Sequence, residues 1–128
     1  MSKKQFVLIM TDTQRLDMVS CYQDVGIKTP NIDALAAEGV KFNKAYTVQP
    51  VCGPARSAIF TGQYPCINGS YTNCVAPGLN VRTIGQRLAD KGVYTGYIGK
   101  WHLDGGDYFG LGTAPEGWDP DVWYDMRN

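Results

Sequence analysis

The chain has 128 residues, enough for one domain with a buried core. Its hydrophobic content of 44% and charged content of 19% are those of an ordinary globular protein. Twelve basic and twelve acidic residues cancel to zero net charge, which argues against a nucleic-acid or membrane-surface partner, because either would leave a basic footprint.

Phe6 to Met10 is a continuous apolar run and predicts a strand buried on both faces of a parallel sheet. A basic flank precedes it, but Thr11-Asp12-Thr13 follows it instead of a small-residue cleavage site. The run therefore reads as a strand and not as a signal peptide, and a cytoplasmic location is expected. No apolar run approaches the roughly 20 residues of a membrane helix, so no membrane partner is expected. Thr29-Pro30 opens a predicted helix in which Ile32, Leu35 and Ala36 form an apolar stripe, and Gly39 is expected to close it in a left-handed cap. Val40 to Thr47 partly alternates and predicts a second strand. Pro54 suits the start of a second helix that carries Arg56 to Phe60 and stops near Gly62. Residues 63–80 are rich in Gly, Pro, Asn and Ser and predict a loop. Thr83-Ile84-Gly85-Gln86 has capping-box spacing and opens a third helix, closed by Gly92. Val93 to Ile98 predicts a third strand, and residues 103–128 show no period and predict an irregular covering segment.

Strand, helix, strand, helix, helix, strand predicts an α/β sandwich with a largely parallel sheet. Ligands of such sheets gather beyond the carboxyl ends of the strands. Asp12 follows the first predicted strand, Cys52 the second, and Lys100 and His102 the third. Three segments thus bring polar residues to one predicted edge.

The cysteines stand at 21, 52, 66 and 74. With the N-terminal run read as a strand and not as a signal peptide, free thiols are expected; none forms a Cys-x-x-Cys pair, and one histidine cannot complete a Cys/His zinc site, so no structural zinc is expected. Cys21, Cys66 and Cys74 carry no motif and read as inert. Cys52 lies just before the helix that Pro54 starts, where free amides favour an anion or thiolate; its plainer reading is a small buried hydrophobe. Asp12 is a carboxylate that would otherwise only cap a loop. Lys100 and His102 are two residues apart, which places them on one side of an extended backbone, although a lone histidine is more often structural.

Cys52-Gly53-Pro54-Ala55-Arg56 fits Cys-x-Pro-x-Arg, and Gly99-Lys100-Trp101-His102 follows forty-odd residues later. In this order, the two motifs resemble the signatures of type I sulfatases, and nearly all of the chain resembles the N-terminal portion of that family. The resemblance implies an alkaline phosphatase-like three-layer sandwich, incomplete in this chain, and hydrolysis of a sulfate ester. It implies that a formylglycine-generating enzyme reads Pro54 and Arg56 and oxidises Cys52 to formylglycine, whose hydrate attacks sulfur. Asp12, Thr13 and the residue derived from Cys52 are then ligands of Ca2+ or Mg2+. Thr13 stands where many members have a second aspartate, and Gln63 where an arginine is frequent. Arg56, Lys100 and His102 complete the implied catalytic set; Lys100 and His102 also hold the sulfate, and Asn73 reaches the substrate. The implied partner is a sulfated small molecule or carbohydrate. Trp101 would point into the core, and Trp118, Trp123, Tyr108 and Phe109 would line a substrate wall or cover core.

Two rival readings stay open. One is a phosphonate or phosphate ester hydrolase of the same superfamily, which the Lys-Trp-His triplet disfavours. The other is a catalytically inactive fragment, because one carboxylate, one threonine and one formylglycine oxygen are too few for calcium, and further ligands would come from a missing C-terminal part.

Overall fold

The computed structural model of the chain describes residues 4–127. The chain divides into two compact units, Met1–Tyr46 and Thr47–Asn128.

The first unit is held mainly by polar contacts. Residues 4–10 form no helix or strand, and Phe6 and Ile9 are 84% and 80% exposed. No strand forms among the described residues of this unit, so neither expected strand, at 6–10 or at 40–47, is present. A lone extended segment has no neighbour for its amides and carbonyls, and a strand exists only in pairs. A 3₁₀ turn spans Leu16–Met18, and helix α1 spans Pro30–Glu38 with Pro30 in its first turn. No residue of α1 is buried, so the expected stripe of Ile32 and Leu35 faces solvent. Gly39 ends α1 at φ −113°, not in the left-handed region. The start of α1 is tied to the preceding loop by three side chains. Ser20 Oγ donates to Asp33 Oδ2 at 2.5 Å, Thr29 Oγ1 donates to Asp33 Oδ1 at 3.1 Å, and the Ser20 amide donates to Thr29 Oγ1 at 2.9 Å. These bonds hold the Asp33 carboxyl below its usual value, the one from Ser20 most of all.

The second unit has an aromatic core. Helix α2 spans Cys52–Thr61, two residues ahead of the expected start at Pro54. Pro54 is tolerated there because its missing amide is one of the first-turn donors that have no helical partner. Gly62 closes α2 at φ +71°. Helix α3, Pro65–Asn68, lies where a loop was expected. The Asn68 side chain is buried and links the two helices: its amide donates to Ser57 Oγ at 3.0 Å and to Thr61 Oγ1 at 3.2 Å. Helix α4 spans Ile84–Ala89, and Gln86 Oε1 accepts the Thr83 amide at 2.8 Å, as the capping-box spacing predicts.

Strand β1 is short, Tyr97–Ile98, and pairs in parallel with β2, Trp123–Tyr124. The register sets Tyr97 opposite Trp123. The expected strand at 93–98 thus shrinks to two residues. Its partner comes from the segment that has no period, because a two-residue strand is too short to show one. The pairing is sandwiched by rings: Tyr97 stacks on Trp123 at 4.9 Å, and Phe60 lies 4.9 Å from Trp101. Phe60, Trp101 and Trp123 are each at most 4% exposed. Trp118 joins the cluster 5.7 Å from Trp101 and packs over α4 at Gly85, where a Cβ would come within 2.5 Å of the indole nitrogen. Trp123 therefore belongs to the core, and Trp118 packs half-buried against it. No described helix is long and apolar enough to cross a membrane.

Candidate active site

Two segments of the second unit approach the start of α2. The first is the loop carrying Asn73 and Cys74. The Gly53 amide, in the first turn of α2, donates to Asn73 Oδ1 at 2.8 Å. The same side chain turns its Nδ2 donor toward Cys52 Sγ at 3.8 Å. Asn73 thereby satisfies a helix-start amide and presents a donor to the sulfur of the half-buried Cys52. Gly53 eases this approach, since a Cβ there would lie 3.1 Å from Asn73 Oδ1 and the Asn73 side chain would have to give by a few tenths of an ångström.

The second segment leaves β1 as Gly99-Lys100-Trp101-His102. Trp101 faces the aromatic core, as expected. Arg56, one turn along α2 from Cys52 and 6% exposed, donates through Nη1 to the Lys100 carbonyl and to the Tyr97 hydroxyl at 3.3 Å. Tyr97 also donates to the Lys100 carbonyl. Burial pushes the Tyr97 hydroxyl above its ordinary value, against the pull of Arg56, so it stays protonated and able to donate. These contacts of Arg56 clamp the backbone of the Lys100–His102 segment.

Lys100 and His102 are 7% and 3% exposed. The Lys100 ammonium lies 3.5 Å from the Tyr108 ring centroid, and the Tyr108 ring lies 5.6 Å from that of His102. Cys74 Sγ is 3.7 Å from His102 Nε2. The arrangement closes on itself, from Cys52 to Asn73, through the Cys74 peptide to His102, along the backbone to Lys100, and through Arg56 back into α2.

Among the described residues, three non-glycine residues have positive φ: Thr13 at 57°, Cys74 at 61° and His102 at 60°. Such backbone is uncommon outside glycine and, for a β-branched threonine, an outlier. One of the three is an expected catalytic residue, one an expected metal ligand, and the third adjoins Asn73.

Asp12 and Thr13 belong to the first unit, and both are exposed. The Thr13 hydroxyl donates to the Asp12 carbonyl at 2.8 Å. The three strands that were to bring Asp12, Cys52 and Lys100 to one edge are not all present, so that argument for their convergence does not hold.

The Sulfatase family model matches residues 4–119. The chain belongs to the sulfatase family. It is 54% identical over its whole length to the uncharacterized sulfatase YidJ of Escherichia coli, of which it covers 26%. It is 34% identical over 98% of its length to an N-acetylglucosamine-6-O-sulfatase of Bacteroides thetaiotaomicron, of which it covers 24%. A solved protein in complex with its substrate, D-glucosamine-2-N,6-O-disulfate, superposes with a TM-score of 0.74 at 35% identity, over 86% of this chain and 21% of that one. The putative sulfatase yidJ of Bacteroides fragilis superposes with a TM-score of 0.68 at 40% identity, over 73% of this chain and 22% of that one. The sulfatase chain thus has the family's α/β, alkaline phosphatase-like fold. It spans about a quarter of the length of the curated relatives it matches.

A carboxylate and a hydroxyl at Asp12 and Thr13 are hard oxygen donors of the kind calcium and magnesium take. Two are too few for either cation, and the described residues bring no three His, Cys, Asp or Glu together. The donor set among the described residues is incomplete. Tyr97, Cys74 and Tyr108 are the site residues that sequence reasoning passed over or misplaced. Only the position of Tyr97 inside a predicted strand next to Gly99-Lys100-Trp101-His102 could have flagged one of them.

Proposed function

We propose that this sulfatase chain carries the nucleophile half of a sulfuric ester hydrolase, with Cys52 as the precursor of formylglycine. The observation that carries the reading is the place of Cys52: first residue of α2, beside the Asn73 amide, within Cys-Gly-Pro-Ala-Arg of a sulfatase-family chain. Formylglycine, once made by a formylglycine-generating enzyme, supplies an aldehyde hydrate able to attack sulfur. Asn73 orients the side chain at position 52. Lys100 neutralises charge on the sulfate oxygens, and His102 gives a proton to the departing alcohol. Arg56 and Tyr97 fix the segment bearing both. Asp12 and Thr13 are proposed donors to a divalent cation, Ca2+ or Mg2+. The proposed substrate class is a sulfated carbohydrate, supported by the disulfated glucosamine bound to one structural relative and by the sulfated sugar in the name of another relative.

Peptide mass spectrometry on the protein co-expressed with a formylglycine-generating enzyme tests the reading. The peptide containing residue 52 is expected to lose about 18 Da relative to the thiol form. A Cys52 peptide that remains wholly thiol under those conditions, in a protein that still cleaves an aryl sulfate, would refute it. Turnover of an aryl phosphonate in preference to an aryl sulfate would favour the phosphonate hydrolase instead.

A further inference from the structure

Cys66 and Cys74 are both exposed free thiols, and Cys21 and Cys52 are half-buried. Only Cys74 has an imidazole beside it, because His102 is the single histidine of the chain and its Nε2 faces Cys74 Sγ at 3.7 Å. The histidine itself is 3% exposed. Its ring is packed beside Tyr108, which also lies against the Lys100 ammonium. An exposed sulfur in contact with a buried, sterically held base is the arrangement that activates a nucleophile. Both residues also sit at positive φ, so the contact joins two backbones held in uncommon conformations.

We propose that Cys74 is a covalent modification site for small disulfides, with His102 as its base. The Cys74 proton passes to Nε2, and the sulfur attacks one sulfur of the disulfide. The original S–S bond breaks, and a mixed disulfide forms on Cys74. The other half leaves as a thiolate and takes the proton back from the imidazolium. The thiol is oxidised at the expense of the small disulfide alone, and no other oxidant is needed. The adduct covers Nε2 of His102 and takes that nitrogen out of use.

The test needs no substrate and no turnover, so its outcome is independent of the sulfatase reading. The intact chain is exposed to cystamine near neutral pH, quenched, digested and mapped by mass spectrometry. Cys66, also exposed but without an imidazole, is the internal reference. Cys74 is expected to form the mixed disulfide at least about tenfold faster than Cys66. His102→Gln is expected to bring Cys74 down to the rate of Cys66. In urea the wild-type preference is expected to vanish, which keeps the proposal decidable even if His102→Gln does not fold. Equal rates in the folded wild type, a preference that survives in urea, or an undiminished preference in a folded His102→Gln would each overturn it.

Discussion

The two units are made from similar material and are held in opposite ways. The first carries Phe6, Val7, Leu8, Ile9, Val40 and Phe42 on its surface and orders α1 through Ser20, Thr29 and Asp33. The second buries Phe60, Trp101 and Trp123 and orders its catalytic candidates against them. Apolar content alone therefore does not make a core. Burial requires a partner surface, and within the second unit β1, β2 and α2 supply one another with it.

The sharpest way to break this contrast is to remove a core ring. Trp101→Ala is expected to destabilise the second unit by about 3–5 kcal/mol. All three tryptophans lie in this unit, so the urea transition followed by tryptophan fluorescence reports on it alone. A transition unchanged from wild type would contradict the assigned core. Next in size is Asn68→Ala, which removes a donor from the Ser57 and Thr61 hydroxyls and the acceptor of the buried Ser70 amide, and is expected to cost about 1–3 kcal/mol in the same measurement. In the first unit, Phe6→Ser is expected to change stability by no more than about 0.5 kcal/mol, read from amide exchange in α1. A larger loss there would mean that the exposed run is held by something other than the contacts described.

The smallest expected effects are electrostatic. Arg127 holds the Asp107 carboxyl below its usual value by hydrogen bonding, Arg82 does the same for Asp90, and Ser20 for Asp33. Each carboxyl releases its proton more readily folded than unfolded. Its contribution is therefore complete above the ordinary carboxylate value and is lost as pH falls through the folded value. These groups are on the surface, so added salt should weaken the two ion pairs. Asp107→Asn is expected to flatten the acid limb of stability in the second unit, and Asp33→Asn that in the first, each followed by denaturant midpoints against pH. An acid limb left unchanged by both would assign acid sensitivity to other groups.

Much of this organisation was legible in the residues. The starts of α1 and α4 follow from Pro30 and from the Thr83–Gln86 spacing, and Gly62 marks the end of α2. Of the strands only Tyr97–Ile98, inside the expected strand at 93–98, was legible, because an apolar run shows that a segment can be buried but not which segment covers it. Phe6 to Met10 has the pattern without the partner; Trp123–Tyr124 has the partner without the pattern. At the site, motif spacing picked out Cys52, Arg56, Lys100 and His102, and the fold links Arg56 to the backbone of Lys100. It could not reveal Cys74, whose left-handed backbone gives no signal in a residue that rarely adopts it.

The grip of Arg56 and Tyr97 falls on the main-chain oxygen of Lys100, not on its side chain. Every amino acid offers that same oxygen. The clamp is therefore blind to what stands at position 100, and anchoring is separated from reactivity at that point of the chain. A different side chain could be installed there and still be held in the same place by the same two donors. That would let one scaffold try new chemistries without first having to rebuild its hold on the loop.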